Sequence, residues 1–143
     1  MPSASDFVTK GKVTEVFVEG VTFTPAGGTY VLKLHTPSRY TGPVNKPVEG
    51  LLKVTGRKVY TVPSGGNFIT PIVGQPKIIQ GLVKYIDDRQ IVVQGAPNVN
   101  VIVDLPTGEY AIDFNDGRVR VGAMANVVAF PGASFEPLVT AGV

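Results

Sequence analysis

His35 is the single histidine of the chain, and there is no cysteine. A hydrolytic triad needs a base beside a hydroxyl or thiol nucleophile. His35 sits two residues from Lys33, with no Ser or Asp near it in a recognised nucleophile setting. Structural zinc needs four His or Cys ligands, which these residues do not supply. Asp113, Asn115, Asp116 and Gly117 hold part of a calcium-loop pattern. The glycine comes one position early, however, and no bidentate Glu follows, so a tight hairpin turn explains the same residues better. Gly27-Gly28 and Gly65-Gly66 lack the residues that complete a phosphate-binding loop. A carbohydrate-binding or hydrolytic cleft would require Asp104, Glu109 and Asp113 to converge in space. On these residues the chain reads as non-catalytic, without cofactor or metal.

Charge offers a second kind of chemistry. Residues 1–80 carry nine Lys or Arg against four Asp or Glu, a net of +5. Residues 81–143 carry four against seven, a net of −3, which together give the overall +2. Lys33, Arg39, Lys53, Arg57 and Lys58 are cations for phosphates, and Tyr40 and Tyr60 are rings for stacking bases, the two ingredients of a single-strand binding surface. Opposite-sign halves also attract one another, so the same asymmetry suits contact between halves or between protomers. Tyr30 shares a face with Leu32 and Leu34 and belongs to the core.

These residues must be positioned by strands. Glycine and proline, 17 and 12 of them, cut the chain into short pieces. Only 82–94 exceeds ten residues without either, and it breaks at Asp87-Asp88 as a hairpin does. The patterns predict strands at 12–18, 21–24, 30–36, 51–54, 58–62, 82–86, 91–94, 99–105, 110–114, 118–121 and 125–130, with a turn at 115–117. Between 30–36 and 51–54 runs a proline-bearing loop, Pro37–Pro47, with Arg39, Tyr40 and Lys46; this is the best candidate for a functional excursion. The stretch 64–80 joins the halves and packs through Phe68, Ile72 and Ile78-Ile79.

The two parts repeat. Val59-Tyr60-Thr61-Val62-Pro63, Gly66, Phe68 and Pro71 are echoed by Val127-Val128-Ala129-Phe130-Pro131, Gly132, Phe135 and Pro137. Upstream, Gly11-Lys12-Val13 matches Gly81-Leu82-Val83, Tyr30–Leu34 matches Val101–Leu105, and Leu52-Lys53-Val54 matches Val119-Arg120-Val121. This predicts an internal duplication, with residues 1–74 as the first repeat, 75–80 as connector and 81–143 as the second. In strand count, strand spacing and glycine placement each half resembles an oligonucleotide/oligosaccharide-binding (OB) barrel. The resemblance implies an all-β fold of duplicated OB-like halves, either two small barrels or one merged barrel with a pseudo-twofold axis.

With 43% hydrophobic and 17% charged residues, the composition is that of a globular domain and not of a disordered chain. No disulfide framework is available, no apolar run reaches membrane-spanning length, and the N-terminus lacks a signal-peptide pattern. A cytoplasmic location is the default expectation. The leading functional expectation is a binding or assembly module for a protein partner or a second copy of itself. The alternative is a single-stranded nucleic-acid binder that uses the basic first half. The two differ in salt dependence, which phosphate contacts make steep.

Overall fold

The computed structural model describes residues 3–27, 29–63, 65–97, 99–105 and 118–138. It is all-β apart from a 3-10 turn at Ala4–Asp6. The strands are β1 (Thr9–Phe17), β2 (Gly20–Pro25), β3 (Val31–His35), β4 (Pro47–Thr61), β5 (Phe68–Thr70), β6 (Val73–Gly74), β7 (Ile78–Ile86), β8 (Gln90–Ala96), β9 (Val99–Asp104), β10 (Met124–Ala129) and β11 (Ser134–Pro137). Alternation sets their faces. On β3, Leu32 and Leu34 are buried while Lys33 and His35 face solvent.

All eleven strands belong to one sheet: nine follow the order β1-β2-β3-β11-β4-β10-β7-β8-β9, while β5 pairs β7 and β6 pairs β3 off this path. Two further pairings, β1–β4 and β4–β9, bring the ladder back to β4 twice. One circuit of neighbours is therefore β1-β2-β3-β11-β4, and the other is β7-β8-β9-β4-β10. The first closes narrowly, at Ser134 beside His35, where the His35 N–H donates to the Ala133 carbonyl at 2.8 Å. Strand β4 serves both circuits. It pairs with β1 at Pro47–Gly50, with β11 at Gly50–Lys53, with β9 at Leu52–Thr55 and with β10 at Gly56 and Lys58–Thr61.

The β1/β2 and β7/β8 hairpins share one register. Lys12↔Thr24 and Val13↔Phe23 in the first become Leu82↔Gln94 and Val83↔Val93 in the second, 70 positions on. A bulge follows at once in each, between Val13 and Glu15 and between Val83 and Tyr85. Both hairpins open on a glycine because the backbones touch there. A Cβ on Gly11 would lie 2.4 Å from the Thr24 carbonyl oxygen, and one on Gly81 would lie 1.8 Å from that of Gln94.

A single main core runs through both circuits, from Val13, Phe23 and Leu32 to Val83, Ile91 and Val127. The β11 ring Phe135 lies in this core with its centroid 4.9 Å from that of Phe23. On the outer side, Leu51, Val92 and Ile102 form a second cluster beneath Ala4, Phe7 and Val8. Asn100 fastens that N-terminal segment. Its Nδ2 donates to the Val8 carbonyl at 3.2 Å, and its N–H donates to Thr9 Oγ1 at 3.0 Å.

Several expectations change. The strands predicted at 51–54 and 58–62 are one 15-residue strand, β4, which passes through Gly56. Residues 118–121 form no strand, although Val119 is buried in the core. Ile72, expected to pack, is 56% exposed. Strand β11 was not anticipated. The strand predicted at 110–114, the turn at 115–117, Glu109 and Asp113 lie outside the described residues. Among the described residues, no helix is long and apolar enough to cross a membrane.

Candidate functional site

The Pro37–Pro47 loop arches away from the end of β3. Pro37 has no N–H to extend the ladder, so the chain leaves the sheet just after His35. Tyr40 turns inward from this loop. It is 6% exposed, its ring centroid is 6.3 Å from that of Phe135, and its hydroxyl donates to the Pro43 carbonyl at 2.8 Å. Burial raises the Tyr40 hydroxyl's pKa above the usual tyrosine value. The ring also lies over Gly42, where a Cβ would stand 2.5 Å from the tyrosine oxygen. The loop is thus pinned to the first circuit by this ring and by the Asn45 N–H, which donates to the Val13 carbonyl at 2.7 Å.

Between this loop, the start of β4 and the end of β11 runs a groove of about 390 Å³. Pro37, Pro43, Pro47, Pro137, Val48 and Leu138 make its walls largely apolar. Thr36 also lines it; this residue is 2% exposed and its Oγ1 has no hydrogen-bond partner. The rim carries both signs of charge. Arg39 and the carboxylates Glu49 and Glu136 line the groove. Lys10 Nζ is 3.7 Å from Glu49 and Lys53 Nζ is 3.0 Å from Glu136. Both ion pairs are solvent-exposed, so they fix geometry more than they stabilise the fold.

The predicted site residues do not gather in one place. Lys33 faces solvent on β3, and Arg39 stands on the groove rim. Lys53 is engaged by Glu136, and Tyr40 is buried beneath its loop instead of being presented for stacking. Arg57, Lys58 and Tyr60 do come together. Lys58 pairs with Val128 and Gly56 with Ala129, which leaves Arg57 as the extra residue of a bulge. Both cations consequently face solvent, with the 39%-exposed Tyr60 beyond them. Sequence reasoning missed Phe130, which is 45% exposed and follows β10 directly, its N–H donating to the Thr55 carbonyl at 2.9 Å.

Of the catalytic candidates, His35 and Asp104 lie among the described residues. His35 is exposed at the end of β3. Asp104 accepts a hydrogen bond from Gln90 Nε2 at 2.8 Å across the β8/β9 ladder. Among the described residues, no three His, Cys, Asp or Glu side chains cluster as metal ligands do. Compared with known proteins, the chain matches no protein-family model, no curated sequence and no solved structure.

Proposed function

We propose that the protein is a non-catalytic binding module whose groove beneath the Pro37–Pro47 loop takes an extended segment of a protein partner. The observation that carries this reading is the groove's combination of apolar walls with a rim of both charges. Its volume lies in the range of small binding pockets and suits one or two apolar side chains. Glu49 and Glu136 would repel a phosphate backbone, whereas a polypeptide can offer partners to both signs. When the segment comes from a second copy of the chain, the same reading describes homo-oligomerisation.

Beneath the groove we read a duplicated pair of OB-like barrels. Support comes from the shared hairpin register, the bulge at equivalent positions and the five-strand circuit on each side of β4. In this reading each repeat lends a strand to the other's circuit. β4 runs on from the first circuit into the second, and the chain after β10 returns as β11 to the first.

The test is selection of displayed peptides on the folded protein, followed by amide chemical-shift mapping. Selected peptides are expected to perturb the amides of Thr36, Ser38–Gly42, Val48, Glu49 and Leu138, and Leu138→Asp is expected to abolish their binding. Thr36→Val is expected to hold or raise stability and to leave binding intact, because the hydroxyl is buried and makes no bond. Peptides that map elsewhere, or that bind the Leu138→Asp variant equally well, would overturn the reading.

A further inference from the structure

The outward side chains along β4 form a line with a defined chemistry. Alternation turns Lys53, Thr55 and Arg57 outward, and the bulge at Arg57 resets the phase so that Lys58 and Tyr60 continue the line. An unbroken strand would have sent Arg57 and Lys58 to opposite faces. Neither cation has an ion pair or hydrogen bond among the described residues. The nearest described carboxylate across the ladder, Asp104 beside Thr55, is held by Gln90.

The two cations lie between two exposed rings. Phe130 stands beside Thr55, and Tyr60 lies five residues further along β4, roughly 15 Å away at the rise of a strand. Across the ladder from Tyr60 is Asn126, whose Nδ2 donates to Gln80 at 3.0 Å. Asn126 is buried, so it belongs to the floor beneath Tyr60 and not to the exposed ridge. Cations between rings match the alternation of phosphate and flat base along a nucleic acid strand.

We propose that this ridge (Arg57, Lys58, Tyr60 and Phe130) binds single-stranded nucleic acid, at a surface separate from the peptide groove. Arg57 and Lys58 contact phosphates, and Tyr60 and Phe130 stack bases. The ligand is a single strand because its bases must be free to leave their own stack, as duplex bases are not. The site recognises the polymer without reading its sequence, since every base has a face to stack. Two phosphate contacts make the binding weak and its salt dependence shallow.

Fluorescence anisotropy with labelled oligothymidylate tests this. With two phosphates engaged, the log–log salt slope should be about −1.4, so affinity should fall about sevenfold between about 50 and 200 mM salt. Arg57→Glu/Lys58→Glu should weaken binding at least about tenfold and flatten that slope. Lys12→Glu/Lys84→Glu makes the same change in net charge at exposed positions elsewhere and should alter affinity less than about threefold. Tyr60→Ala and Phe130→Ala should each weaken binding at least about fivefold with the slope unchanged. Four results would overturn the proposal: no binding at the lower salt, equal losses in the two charge-reversal variants, no effect of either ring, or equally tight binding of base-free polyphosphate. Because it maps to different residues, failure here leaves the peptide groove untouched.

Discussion

Asp87 shows how a residue that looks chemical becomes structural. Its Oδ1 accepts the backbone N–H groups of Arg89 and Gln90, and its Oδ2 accepts the Tyr85 hydroxyl, each at 2.8 Å. The Arg89 N–H first, then the Tyr85 hydroxyl, hold its carboxyl below the usual carboxylate range. The Tyr85 hydroxyl is pushed up in turn, chiefly by the same hydrogen bond. A depressed carboxylate stabilises the fold above its unfolded pKa, and that contribution disappears as pH falls through the folded value. Asp87→Ala should therefore be less stable than the parent at neutral pH, by no more than about 1 kcal/mol because the site is exposed. The difference should shrink below about pH 4, and urea melts across that range would measure it. The turn itself was legible, since paired aspartates between alternating runs mark a hairpin. The fate of Tyr40 was not. It sits in a polar, proline-bearing loop, and only its contact with Phe135, nearly a hundred residues away, draws it inward.

Among the strands, the two glycine-led hairpins carry the sharpest expectation. A methyl group at Gly81 has no room beside the Gln94 carbonyl, and backbone cannot yield as a flexible side chain can. Gly81→Ala should cost about 3 kcal/mol or prevent folding, and Gly11→Ala, with slightly more room, somewhat less. Thermal melts of the two variants would rank them, and equal mild effects would contradict the close approach. Strands with clean alternation, such as β3 and the β7/β8 hairpin, could be read from sequence. The continuity of β4 could not. Gly56 reads as a break, yet it sits under Val103 and Val59 where little else would fit. Strand β11 left no signal because Ser134–Pro137 is short, holds one apolar ring and ends on proline, and its partners are at His35 and Gly50–Lys53. The adjacency of Arg57 and Lys58 was visible, but their shared face depends on a bulge that only pairing with β10 creates.

For the whole molecule, one core and one shared strand predict a single cooperative transition. Phe135→Ala, at the closure of the first circuit, should destabilise the protein by about 3–5 kcal/mol. Its effect should reach the second circuit, because β4 is common to both. Hydrogen exchange in β8, followed in this variant, should accelerate together with exchange in β2. Loss of protection confined to the first circuit would mean that the two sides melt separately. These pairings have a further consequence for a chain cut between Gln75 and Pro76, a stretch outside every strand. The front piece keeps β4 but lacks β11, and the back piece keeps β11 but lacks β4. Neither piece holds all five strands of a circuit, and each carries the strand the other is missing. Such a nick would turn one protein into two obligate halves of a clasp, silent apart and restored on mixing.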